Sequence, residues 1–281
     1  MMLLASCSAY SAEQDAIIDD KREVKTIVSA NPCVDAILVE LVEPERIASL
    51  SHYSHSAGSS SMDIALASRF PANGGTAEEI IALDPDIVLL GSHTPKATLD
   101  ALQASGIKVH LIGVPDSVAQ SLDQIEQIAL AVNEKPRGDI LQSKIRAAVD
   151  AASTGAKQAR PKLLIWQAGG LVPGEGTLID DMIGLAGFAN ASADYRLAMW
   201  DILPLEPVAK NPPDLILSPS SAKSGESRNV HLRTKFLKKF GDQVVTADIP
   251  ENLLHCGGTT IISAMNVLKN ARNDYQRQNG T

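Results

Sequence analysis

The chain has 281 residues, 44% of them hydrophobic, 21% charged and only 4% aromatic. That length and apolar content support a substantial core and exclude a disordered tail or a disulfide-stapled mini-protein. Its 25 Lys and Arg against 33 Asp and Glu leave a net charge of −8, and no basic stripe occurs, which argues against nucleic acid as a partner; no apolar stretch approaches the roughly 20 residues needed to span a bilayer.

Residues 1–24 read as a leader. Met1-Met2-Leu3-Leu4-Ala5 is apolar but lacks the basic flank of a secretory signal. Leu4-Ala5-Ser6-Cys7 is similar to a lipoprotein box, in which Cys7 would be acylated and become the mature N-terminus. Ala9-Tyr10-Ser11 or Tyr10-Ser11-Ala12 would serve ordinary cleavage instead, and a chance run of small residues produces the same string. The expectation is an exported chain whose recorded start lies downstream of the true one. The three cysteines, Cys7, Cys33 and Cys256, form no C-x-x-C pair, so neither a zinc ribbon nor a thioredoxin motif is present. With Cys7 lipidated, Cys33 and Cys256 remain as a disulfide or as two free thiols. Buried free thiols are the expectation, because such cysteines behave as small apolar residues.

Lys25-Thr26-Ile27-Val28-Ser29-Ala30 predicts a short buried strand closed by the turn residues Asn31-Pro32, with a helix over 33–42. Further strands are predicted over 47–50, 86–90 and 108–112, and helices over 77–82, 96–104 and 118–132. These make a first lobe, 25–134. Ile140, Leu141, Ile145, Ala148, Val149 and Ala152 then fall at helical spacing, which predicts one long connecting helix within 135–160. The second lobe, 161–281, opens on the strand Lys162-Leu163-Leu164-Ile165-Trp166. It continues with helices over 178–186 and 234–239, strands over 215–217 and 243–247, and a final helix over 260–271. The fold class is α/β: two α/β lobes with mainly parallel sheets joined by a single long helix.

An internal echo supports the division. Glu78 is followed seven positions later by Pro85-Asp86-Ile87-Val88-Leu89, and Glu206 seven positions later by Pro213-Asp214-Leu215-Ile216-Leu217. In each, Pro-Asp ends one segment and starts a buried strand, with the Glu upstream on an exposed segment. Turn-then-strand chemistry recurs in α/β proteins generally, but the matched spacing favours two related lobes.

The sequence here resembles the helical-linker class of bacterial substrate-binding proteins, which deliver ferric siderophores, vitamin B12 or haem to ABC importers. The resemblance runs from about Lys25 to Ala271. It is carried by Ile27-Val28-Ser29-Ala30-Asn31-Pro32, by Arg46-Ile47-Ala48-Ser49-Leu50-Ser51-His52-Tyr53-Ser54, and most specifically by Gly75-Thr76-Ala77-Glu78-Glu79-Ile80-Ile81-Ala82-Leu83-Asp84-Pro85-Asp86-Ile87-Val88. In the second half Trp200 lies six residues before Glu206 and its Pro213-Asp214 strand, which is similar to the vitamin B12-binding members. The resemblance implies two lobes on one rigid helix, a ligand in the cleft between them, modest closure and no resident cofactor. It implies a periplasmic, monomeric protein, lipid-anchored if Cys7 is acylated, that meets an ABC permease and its ATPase. It also implies that one exposed Glu from each lobe, Glu78 and Glu206, pairs with permease arginines, although Glu79 competes with Glu78. A solvated surface carboxylate is the plain alternative for each.

In such a fold the ligand meets loops at the carboxyl ends of the strands. Candidate ligand-binding residues on those loops are Asn31, Pro32, His52, Tyr53, Ser54, His55, Gly75, His93, Gln167, Trp200, His255 and Cys256. His52, Tyr53 and His55 are candidate metal donors, with His255 or Cys256 contributing from the other lobe; loop capping is the ordinary role for any single histidine. The separated histidines and carboxylate of a bare-metal receptor are not apparent, so a chelate is expected. Anionic siderophores call for clustered cations, and these loops offer only Arg69, Arg196 and Lys223. A corrinoid would pack on Trp200 and Tyr53; corrinoid and ferric siderophore both stay open. A haem- or metal-binding protein acting without an importer is one alternative. An α/β enzyme is another, but Gly169-Gly170-Leu171-Val172-Pro173-Gly174 lacks G-x-G-x-x-G order, and no Walker, G-x-S-x-G or H-E-x-x-H motif occurs.

Overall fold

The computed structural model describes residues 24–153, 160–219 and 235–279. The leader with Cys7, residues 154–159 of the predicted connecting helix, and Ser220, Ser221, Lys223 and Thr234 lie outside the described residues.

The first lobe runs β1 (Ile27–Ser29), α1 (Pro32–Leu41), β2 (Ile47–Ser51), α2 (Ile64–Ala67), β3 (Ala72–Asn73), α3 (Ala77–Ala82), β4 (Ile87–Gly91), α4 (Lys96–Ala104), β5 (Lys108–Ile112) and α5 (Val118–Ala131). Its strands form one parallel sheet in the order β3-β2-β1-β4-β5. The chain therefore reverses direction across the sheet between β1 and β4, and α/β sheets bind ligands beyond such a point. The linker α6 (Lys135–Ser153) has 19 residues and spans roughly 28 Å.

The second lobe runs β6 (Lys162–Ile165), β7 (Leu171–Pro173), α7 (Leu178–Leu185), β8 (Ala189–Asn190), β9 (Trp200–Ile202), α8 (Leu205–Lys210), β10 (Leu215–Ser218), β11 (Val245–Asp248) and α9 (Thr260–Asn279). A parallel sheet of order β11-β10-β6-β8 is joined by a small antiparallel pair, β7 and β9. The expected elements are present with ends shifted by a few residues, with two larger differences: the helix predicted over 234–239 is 3₁₀ from Lys238 to Gln243, and α9 continues to Asn279, where the sequence predicts a stop at 271. Buried Leu268, Ala271 and Arg272 extend its packed face, so tertiary contact sustains the polar last turns.

Strand alternation explains the core. In β4, Ile87 and Leu89 enter one cluster while Val88 and Leu90 enter another; in β6 and the residue after it, Leu163 and Ile165 divide likewise from Leu164 and Trp166. The outer faces make a small core for each lobe. The inner faces share one continuous core that also holds Leu38 of α1, Ile125 of α5, Ile145 of α6, Met182 of α7 and Met265 of α9. The Pro-Asp echo is the same device twice. Asp86 Oδ2 accepts from the Lys25 and Thr26 amides at 2.8 and 2.9 Å, and Asp214 Oδ2 accepts from the Lys162 amide at 2.7 Å, so each carboxylate ties the start of a lobe's central strand.

The expectation of two free thiols is overturned: Cys33 and Cys256 form a disulfide, with Cα atoms 5.2 Å apart. Folding brings the first turn of α1 against the turn that enters α9, a proximity that a separation of 223 residues hides in the sequence.

Candidate functional site

A cavity of about 420 Å³ lies between the lobes, within the usual size of small-molecule sites. Asn31 builds one wall. Its Oδ1 accepts from the Cys33 amide at 2.9 Å and the Val34 amide at 3.3 Å, which caps α1 and aims that helix start at the cleft. Buried Val34 and Ile37 of α1 and Ile112 at the end of β5 continue the floor, met from the other lobe by Leu178 and Ile179 of α7 and by Leu254, Cys256 and Gly257. The rim is different. Val114 is 71% exposed, Met199 58% and Trp200 42%, so an apolar mouth faces solvent above an apolar floor. His255 and Asp116 are exposed at the same lining, and among the described residues no Lys or Arg lines the cavity.

Of the residues singled out from sequence, the cavity brings together Asn31, Trp200, His255 and Cys256. The others lie elsewhere. Pro32 is the first residue of α1. His52 Nδ1 is 3.2 Å from the Asn73 carbonyl, and its ring stacks on exposed Tyr53 with centroids 4.0 Å apart. Ser54 is buried and donates to Asp35 Oδ2 at 2.6 Å. His55 is half-buried, its Nε2 lacking a hydrogen-bond partner among the described residues. Gly75 has φ +76° after β3, and exposed His93 follows β4. Gln167 is buried behind β6, and Arg69 and Arg196 are absent from the lining. Among the described residues no three His, Cys, Asp or Glu side chains converge as a metal cluster.

Gly113 to Asp116, Gly176 to Ile179 and Met199 also line the cavity, and none of them is among the candidates from sequence. The first group was accessible by the rule used for the other loops, since it follows the predicted strand 108–112. Also missed is Asp35, fully buried on α1, whose Oδ2 accepts from the Ser51 amide at 2.9 Å as well as from Ser54, pinning the His52-Tyr53 loop. Burial pushes its pKa up to about 7, against hydrogen bonds from Ser29, Ser54 and Ser51 that favour the anion.

The exposed carboxylates separate cleanly. Glu79 Oε2 accepts from the Gly74 amide at 2.7 Å, whereas Glu78 projects from the first turn of α3 and Glu206 from the first turn of α8, both exposed.

The periplasmic binding protein family matches residues 27–249, most of the chain. The chain belongs to this family. No curated protein sequence matches it significantly. Among solved structures, this periplasmic binding protein is similar to the periplasmic haem-binding protein RhuT of Roseiflexus sp. RS-1 in its apo form, at 22% identity and a TM-score of 0.67, covering 90% of this chain and 99% of that one. The periplasmic haem-binding protein HutB of Vibrio cholerae gives 20% identity and a TM-score of 0.72 over 87% and 97% of the two chains. The periplasmic vitamin B12-binding protein BtuF of Vibrio cholerae gives 17% and 0.69 over 91% and 99%. At these identities the likeness establishes the two-lobe fold.

Proposed function

We propose that this periplasmic binding protein captures a metal-bearing macrocycle, a corrinoid or haem, in the inter-lobe cavity and hands it to the permease and ATPase of an ABC importer. The observation that carries the reading is the cavity itself, an apolar floor and an apolar mouth at Trp200 and Met199 with one imidazole, His255, at its edge. A flat apolar face suits that lining, and the absence of Lys and Arg among its described residues disfavours a highly anionic siderophore. Haem and vitamin B12 are what the similar solved proteins are described as binding. The macrocycle is cargo, the protein holds no resident cofactor, and it acts as a monomer by binding rather than turnover. Acylation at Cys7 would tether it to the membrane, and Glu78 and Glu206 are the docking carboxylates.

Trp200 supplies the test. Titration with cobalamin, cobinamide, haem and several ferric siderophores is expected to quench its fluorescence with micromolar or tighter affinity for one macrocycle. Trp166 is buried in the second lobe's outer core, so Trp200→Phe is expected to remove most of the signal. Binding of siderophores alone would overturn the macrocycle, and turnover of a small molecule would overturn the receptor.

A further inference from the structure

Cys33 belongs to the first turn of α1 in the first lobe, and Cys256 to the turn that follows the second lobe's last strand and enters α9. Their disulfide therefore crosses from lobe to lobe, and both cysteines line the cavity. The surroundings close tightly on it. The Gly258 amide donates to Ser121 Oγ of α5 at 2.8 Å, in a buried contact. A Cβ on Gly257 would lie 2.5 Å from that same Oγ, and one on Gly258, at φ +68°, would lie 2.6 Å from Ile37 Cγ1. Cys-Gly-Gly thus lets the turn lie directly on α1 and α5. Beside it, the Val118 amide that opens α5 donates to Asp181 Oδ2 of α7 at 2.7 Å, a further tie between lobes.

We propose that the Cys33–Cys256 disulfide is a positioning element of the binding site. It holds the start of α1 and the 254–258 turn at one separation, so the cavity floor is preformed before the solute arrives and access runs through the mouth between Val114 and Met199-Trp200. Two immediate neighbours of the bond gain from this: Val34 on the floor, and His255, whose backbone is locked by the cystine that follows it. A site fixed in advance binds without the cost of ordering its walls. The consequence for affinity rests on the cavity being the solute site; the clasp itself does not.

The test compares the wild-type protein with C33S/C256S and with C33A/C256A, the second pair avoiding buried hydroxyls. Amide hydrogen exchange on the ligand-free proteins reads the clasp, and titration with haem and with cyanocobalamin reads the site. Exchange over 33–38 and 254–260 is expected to rise about tenfold in a folded variant while α4 and β10 keep wild-type protection, and the macrocycle that wild type binds is expected to bind about tenfold more weakly. Unchanged exchange in both segments overturns the proposal. So does faster exchange spread evenly over the chain, which is the mark of a purely stabilising bond, or equal affinity in a folded variant. Where wild type binds neither macrocycle, the proposed solute fails and the exchange pattern alone decides the clasp.

Discussion

Asp35 shows how one residue can carry a pH dependence that no motif announces. Its carboxyl is raised from an unfolded value of 3.8 to about 7 by burial, so between those values the folded protein binds a proton that the unfolded chain has released. Its contribution to stability therefore falls as pH rises from about 4 to about 7 and is level above that, at about 1.4 kcal/mol per pH unit in the interval. Asp35→Asn keeps one oxygen for the Ser51 amide and the Ser54 hydroxyl and removes the titration. The stability difference between wild type and this variant, from urea unfolding, is expected to shift against wild type by that slope between about pH 5 and 6.5; a difference flat in pH would contradict it. Asn31 was legible in sequence because Asn before Pro at a strand end marks a turn, and turns at the carboxyl ends of strands face the ligand in such a fold. Asp35 was not, because a single Asp within an apolar helix looks exposed until the helix acquires a neighbour on that face.

At the scale of elements, the two lobes repeat one construction: a short helix carrying an exposed Glu in its first turn, then an Asp that ties the start of the central strand. Glu78 on α3 and Glu206 on α8 are available at matching places, while Glu79 is committed to the Gly74 amide. Two separated charge contacts orient a receptor on its permease and favour encounter more than affinity. Charge reversal at both, E78R/E206R, is expected to abolish uptake through the importer and leave solute affinity unchanged in titration; normal uptake would refute the docking role. The echo was readable because its parts lie within a dozen residues of each other. The antiparallel β7 and β9 were not, since three-residue strands separated by α7 and β8 have no periodicity long enough to register.

For the molecule as a whole, the inner faces of both sheets and the packed sides of α1, α5, α6, α7 and α9 form one apolar core, and the disulfide and the Val118–Asp181 bond add ties across the cleft. Lobes that share a core unfold together. Calorimetry on the ligand-free protein is expected to give a single transition whose calorimetric and van't Hoff enthalpies agree; two resolved transitions would mean that the lobes are independent. Short apolar strands bounded by turn residues, helical spacing, the Pro-Asp repeat and the long linker are written in runs of a few residues, so the succession of two α/β lobes about one helix could be read from order alone. Three things had to wait for the packed chain: the union of the inner faces, the pairing of Cys33 with Cys256, and the meeting of Gly176 to Ile179 and Met199 with the first lobe as cavity lining. Each depends on which surfaces meet after distant elements pack, and a sequence records the chemistry of those surfaces but not their distance.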